Sequence, residues 1–330
     1  MKKGLSLLIV LLFAITAVAG CGTGADAPAD QDGLRVALLL PGTVDDGGWN
    51  AAAYEGLLLI ESELGAEISY SEQVAISDFD EVFRLYASEG YDVVLGHGAE
   101  FADAAKRVAP EFPDTHFAIN SSDAVQEPNV SSILNDSFSQ GFLSGVVAAV
   151  VSETGTVGII GGMEIPSISA SVDGYEVGAR YIDENIRVLS TFLGNFDDAA
   201  GAKELARSMN NQGADIIMHN ANQAGMGVME AAEEEGFYVI GSIGDQANLS
   251  PNTIITSGLA DMPGAMKVFV EMFLSGDLEA GNYLMGPREG IISLAPFYEF
   301  EDILTEEQKS TIREIEAQVI SGELDPWDFR

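Results

Sequence analysis

From Leu34 onward, short apolar runs of strand length alternate with longer segments in which apolar residues recur at helical spacing. Strands buried on both faces read as continuous Val, Ile and Leu runs, and each parallel return needs a covering helix, so the pattern is that of parallel sheets. It predicts strands at Arg35–Leu40, Ile68–Tyr70, Val93–Leu95, His116–Ile119 and Ser131–Leu134. A second series follows at Thr156–Ile160, Val188–Leu193, Ile216–His219, Tyr238–Gly241 and Thr253–Thr256. Amphipathic helices are predicted between them, among others at Asp78–Glu89, Phe101–Phe112, Ala199–Asn210 and Gly227–Glu235. About 300 residues exceed what one doubly wound sheet needs, so two α/β lobes are expected. Each series opens with a buried strand ending in a glycine-rich turn, LLLPGTVDDGG in the first and VGIIGGMEIP in the second. Open parallel sheets bind ligands beyond the carboxyl ends of their strands. Two such sheets facing each other therefore place both sets of loops around one cleft.

The N-terminal pattern is different. Lys2 and Lys3 precede an apolar run, Leu5 to Val18, closed by Val18-Ala19-Gly20-Cys21. The run is shorter than the roughly 20 residues of a spanning helix, and residues 1–20 read as a secretory signal. Cys21, the only cysteine, reads as a lipidation site on the outer face of the cell membrane, toward the periplasm or exterior. The segment GTGADAPADQDG lacks apolar periodicity and suits a flexible tether, so residues 21–33 are expected to hold the lobes off the membrane. With Cys21 lipidated, no thiol remains for a disulfide or a thiolate metal site. The net charge of −37 argues against nucleic acid as a partner.

Candidate chemistry is sparse. The three histidines, His97, His116 and His219, form no metal-spaced pair, and there is neither a Gly-x-Ser-x-Gly elbow nor a Walker loop. His116 reads as the start of a buried strand; His97 and His219 follow apolar strands and are candidates to face the cleft. Neither glycine turn fits Gly-x-Gly-x-x-Gly, so a dinucleotide site is not expected. No cofactor, no metal and no catalytic group is predicted. One of only two tryptophans, Trp49, sits on the first glycine-rich turn beside Asp45, Asp46 and Asn50. A flat apolar face among hydrogen-bonding groups suits a planar heterocycle. The competing explanation is a tryptophan packed beneath its loop with acids capping the next helix.

The segments Asp46-Gly47-Gly48-Trp49-Asn50 with Tyr54-Glu55-Gly56, VVLGHGAEFADAAKRVAPEFPDTHFAIN, QGFLSGVVAAVV, GTVGIIGGMEIP, DGYEVGA, VMEAAEEEGFYVIGSIGDQ and IITSGL together resemble the basic membrane lipoprotein family of ABC-transporter substrate-binding proteins, of the purine nucleoside receptor A type. The resemblance implies a type I periplasmic-binding-protein fold: two doubly wound parallel-sheet lobes around a cleft, joined by three crossings. It assigns the first lobe to residues 34–137 with about 256–280, and the second to 138–255 with about 281–330. It implies a monomer that takes purine nucleosides or related heterocycles and hands them to an ABC permease, with Asp46, Trp49 and Asn50 holding the base. Three family polar positions differ here: Asn120 stands for an acid, Ile243 for the acid expected on the ribose hydroxyls, and Ala260 for a lysine. An unpartnered ribose hydroxyl costs about 1–3 kcal/mol when buried, so a free base is as well suited as a nucleoside. The further candidate ligand groups are His97, Asn120, Asn220, Asn222, Asp245 and Ser257. A sensory receptor on the same fold, a riboflavin-binding variant and a nucleoside hydrolase are the competing functions, the last without a visible nucleophile or metal constellation.

Overall fold

The computed structural model describes residues 33–45, 49–276 and 278–330. The signal segment 1–20, Cys21, the tether up to residue 32, and Asp46 lie outside the described residues.

The chain builds β1 (Arg35–Leu39), α1 (Trp49–Leu64), β2 (Glu67–Ser71), α2 (Phe79–Ser88), β3 (Val93–His97), α3 (Ala102–Val108), β4 (His116–Asn120) and β5 (Val130–Asn135). It continues through α4 (Ser137–Val151), β6 (Thr156–Gly161), α5 (Pro166–Ile182), β7 (Arg187–Phe192), α6 (Ala199–Asn211), β8 (Ile216–Asn220), α7 (Gly225–Glu235) and β9 (Tyr238–Ile243). The remainder is β10 (Ile254–Ala260), α8 (Met262–Ser275), β11 (Asn282–Met285), β12 (Ile292–Leu294) and α9 (Glu306–Ser321). Local rules explain the boundaries. Phe79, Phe83, Tyr86 and Ala87 give α2 one buried stripe at helical spacing, and Gly90 in the left-handed region follows its end. The segment predicted as a helix to Phe112 is α-helical only to Val108; Pro110 cannot donate to the ladder, and a tighter 3₁₀ turn, Ala109–Glu111, replaces its last turn.

Two six-stranded sheets result, ordered β11-β5-β4-β3-β1-β2 and β12-β10-β9-β8-β6-β7. All pairings are parallel except β10 with β12. Both faces of each sheet are covered. In the second, Met218 and Ile240 pack with residues of α4, α5 and α9, while Ile217 and Val239 pack with those of α6 and α7.

The chain crosses between sheets three times: from β5 into α4, from β10 into α8, and from β11 into β12. The second and third crossings fall later than about 256 and 280. Thr256 to Leu259 pair with β9 and Ala260 with β12, all within the second sheet, and β11 pairs with β5 in the first. Both short end strands escaped the sequence reading, because three or four residues carry too little periodicity. Asp136 and Asp261 are the single residues between strand and helix at the first two crossings, and their carboxylates cap α4 and α8. Backbone bonds join the crossings to one another: Asp136 N–H donates to Met285 C=O at 2.9 Å, and Asp261 N–H to Ile291 C=O at 2.9 Å. Because β5, β10 and β11 all leave their sheets from carboxyl ends, those two edges adjoin at the crossings. The crossings therefore turn the carboxyl edges of the two sheets toward each other, where the sequence places the cleft.

Candidate functional site

On the first lobe the loop after β1 is held against the loop after β2: Val44 N–H donates to the Glu72 carboxylate at 2.9 Å and Gln73 N–H to Gly42 C=O at 3.0 Å. Gly42 N–H donates to Asn50 Oδ1 at 3.2 Å, so the Asn50 side chain ties the start of α1 to the residues just after β1. Trp49, the first residue of α1, stacks on His97 with ring centroids 4.1 Å apart and an interplanar angle of 29°. His97 is fully buried, whereas Trp49 is 43% exposed, so the imidazole backs one face of the indole and leaves much of the ring open. The contact is held by a hydrogen bond of 3.0 Å between His97 Nε2 and Trp49 C=O. A carbonyl only accepts, so Nε2 carries the proton, and Nδ1 accepts from Asn120 Nδ2 at 3.3 Å. The register of β3 with β4 sets His97 beside Asn120. Three sequence-predicted residues thus form one unit, in which His97 packs against and bonds Trp49 and Asn120 bonds His97.

On the second lobe, Asn220 ends β8 and Asn222 stands two residues beyond it, with φ at 49°. Asn220 is buried and Asn222 exposed. Ser257 does not face open space. It is fully buried, and its Oγ accepts from Gln246 N–H at 3.1 Å, which ties down the loop after β9. The Gln246 side chain returns to accept from Ser242 N–H at 3.1 Å. Asp245 is likewise engaged: Oδ1 accepts from Ala247 N–H at 3.1 Å and Oδ2 from the Tyr298 hydroxyl at 2.5 Å. That hydrogen bond raises the Tyr298 phenol above its ordinary range. Sequence reasoning missed Tyr298, because its partner is 53 residues away. Parity along β8 turns His219 away from Asn220, toward α7, where a Cβ on Gly225 would come within 2.3 Å of the ring. Among the described residues neither ring nitrogen of His219 has a hydrogen-bond partner, and burial lowers its pKa to about 4 although nearby Gln246 favours the charged ring. His116 begins β4 as expected, bonds Ser131 Oγ at 2.8 Å, and is lowered by burial to about 4.

Five non-glycine residues among those described adopt left-handed backbone: Gln73, Ser121, Asn222, Ile243 and Tyr298. The first four lie at or within two residues of the carboxyl ends of β2, β4, β8 and β9, and Tyr298 bonds the loop after β9. Ile243 is the clearest outlier, a β-branched residue at φ 70° that is 53% exposed. Backbone conformations of this kind cost about 1–3 kcal/mol each and gather at binding sites. Here they gather along the edges that face the cleft. The described residues contain no group of three His, Cys, Asp or Glu placed to hold a metal ion, and no helix long and apolar enough to cross a membrane.

Comparison with known proteins places this geometry. Basic membrane protein A of Borreliella burgdorferi is 30% identical over 325 residues, spanning 96% of this chain and 94% of its own. The crystal structure of a transcriptional activator of the comK gene from Bacillus halodurans superposes with a TM-score of 0.76 at 28% identity, over 88% of this chain and 99% of that one. An ABC transporter solute-binding protein from Conexibacter woesei gives 0.69 at 25% identity, over 88% and 97%. The family described as ABC transporter substrate-binding protein PnrA-like matches residues 34–325. Two parallel-sheet lobes, three crossings and a match along nearly the whole folded chain have one reading: this protein belongs to the PnrA-like family of ABC transporter substrate-binding proteins.

Proposed function

We propose that the protein is a lipid-anchored receptor of an ABC importer that captures a planar heterocycle, a purine base or nucleoside, and presents it to the permease. The observation that carries the reading is the half-open indole of Trp49, backed by the buried ring of His97 and held in place through its own carbonyl. A rigid aromatic face at a cleft edge binds flat rings with little ordering cost. Asn50, Asn120, Asn220 and Asn222 offer neutral amide donors and acceptors, and Asp46 offers a carboxylate for a ring N–H group. None of these is a cation, so a phosphorylated nucleotide is disfavoured. Ligand contacts from both lobes favour the closed form, and the permease reads that closed surface. Residues 1–20 and Cys21 supply the export signal and the anchor, and the protein binds without turning its ligand over.

The test is a thermal-shift screen of the chain from Gly22, refolded from denaturant to strip carried-over ligand, against bases, nucleosides, riboflavin and simple sugars. A ligand at 100 times its Kd should add about 2.7 kcal/mol of stability. Trp49→Ala should then weaken binding by about 1–3 kcal/mol, the scale of base stacking on an aromatic ring. Stabilisation by a sugar alone, or an unchanged affinity in the variant, overturns the reading.

The relative from Bacillus halodurans described as a transcriptional activator favours a second reading, a sensory receptor whose closed form engages a signalling partner. Uptake of labelled ligand by membranes that contain the cognate permease and ATPase separates the two.

A further inference from the structure

Along the carboxyl edge of the second sheet, Gly161 of β6 pairs with Asn220 of β8, and Ser242 of β9 pairs with Gly258 of β10. Asn220 and Ser242 each lie two residues beyond Met218 and Ile240, the last pair of the β8–β9 ladder, so strand parity sends both side chains toward the same sheet face at the carboxyl edge. The glycines at either end of this row let neighbours close in: a Cβ on Gly161 would approach Phe192 to 2.7 Å and Ile168 to 2.9 Å, and one on Gly258 would approach Ser144 Oγ to 2.5 Å. Between those walls stand two polar side chains, Asn220 at 3% exposure and Ser242 at 4%. Among the described residues neither side chain has a hydrogen-bond partner, yet neither belongs to the unpaired polar atoms that are sealed from solvent. Their small exposure is thus at the polar atoms. A buried amide left without partners is costly unless something completes it.

We infer that Asn220 and Ser242 form a hydrogen-bonding notch that selects ligands carrying a cis-amide or amidine edge, such as the 6-oxo, N1–H edge of an oxopurine. This rests on the reading of Trp49 as the stacking platform and adds the edge that the ring must present. An asparagine amide places one donor beside one acceptor, which matches such an edge with two hydrogen bonds, as asparagine does on adenine in nucleic acids. The Ser242 hydroxyl donates and accepts, and takes the adjacent ring nitrogen or exocyclic group. Nothing on the row itself satisfies these groups, so the ligand's edge replaces water there.

The experiment measures calorimetric affinities of the refolded chain from Gly22 for hypoxanthine, adenine and unsubstituted purine, which stacks but carries no 6-substituent and so lacks the amide or amidine edge at N1 and C6. The wild type should prefer hypoxanthine or adenine to purine by about tenfold or more, the discrimination expected of a bidentate pair. Asn220→Leu and Ser242→Val, with Asn220→Ala and Ser242→Ala as gentler replacements, should each shrink that ratio. Trp49→Ala should instead lower affinity for all three and keep the ratio. A ratio unchanged in folded Asn220 and Ser242 variants, with binding that still depends on Trp49, overturns the notch alone. Failure of the wild type to bind any of the three or their ribonucleosides overturns the notch together with the stacking platform.

Discussion

Single side chains act here through what holds them. The Trp49 ring is fixed because His97 is buried behind it, and His97 is held because Asn120 bonds its far nitrogen; the proposed platform role rests on that support. His219 has the opposite character, a buried imidazole with no partner among the described residues and a pKa near 4. The unfolded chain binds a proton at His219 near the ordinary value of 6.5, whereas the folded chain refuses it until about pH 4. Stability from this group is therefore present above pH 6.5 and is lost as the pH falls toward 4, by on the order of 3 kcal/mol. His116 acts in the same direction. Urea unfolding from pH 7 to pH 4 should show a shallower loss for His219→Gln than for the wild type. Any cavity cost of the replacement is the same at each pH, so the difference in slope isolates the ring. Parallel slopes would mean that His219 titrates normally.

Among the elements, the α4–α5 pair shows what the motifs QGFLSG and DGYEVG do. A Cβ on Gly141, Gly145, Gly174 or Gly178 would fall within 2.0 to 2.1 Å of a carbonyl oxygen on the facing helix. The two backbones touch, and only glycine fits between them. Gly174→Ala must push the helices apart, with an expected loss of about 1–3 kcal/mol or more in urea unfolding. An unchanged midpoint would show that the pair can separate without disturbing the lobe. The helices predicted from periodicity are close to those observed, since an amphipathic stripe is a local property. The glycine contact was not predictable, because each motif needs the other, and they are about 30 residues apart in the chain.

At the scale of the molecule, the first and third crossings are bound together by the turn Pro326–Phe329. Trp327 Nε1–H donates to both carboxylate oxygens of Asp136, at 3.2 and 3.1 Å, and its ring lies 4.5 Å from that of Phe138. Arg288, beyond β11, pairs with Asp325 at 3.4 Å. The C-terminal turn therefore fastens the first and third crossings, on which any opening of the cleft must pivot. Trp327→Phe keeps the ring contact and removes the donor from a buried carboxylate, which should cost about 1–3 kcal/mol in unfolding experiments. Wild-type stability in that variant would mean that Ser139, which also donates to Asp136, satisfies the carboxylate by itself.

The linear pattern determined the two series of strands, the helices between them and the placing of glycine turns at strand ends, because hydrophobic period and turn chemistry are written in neighbouring residues. It also singled out Trp49, Asn120 and Asn220, since a residue at the carboxyl end of a parallel strand has few other places to be. Tertiary structure alone decided which of these groups remain open. Ser257 and Asp245 are bonded by Gln246 and Tyr298, His97 packs against and bonds Trp49, and Ser242 comes to the same sheet face as Asn220 through strand parity. Those outcomes depend on partners tens of residues away, and so do the later crossings near 261 and 286, where strand pairing between distant segments outweighed any local signal.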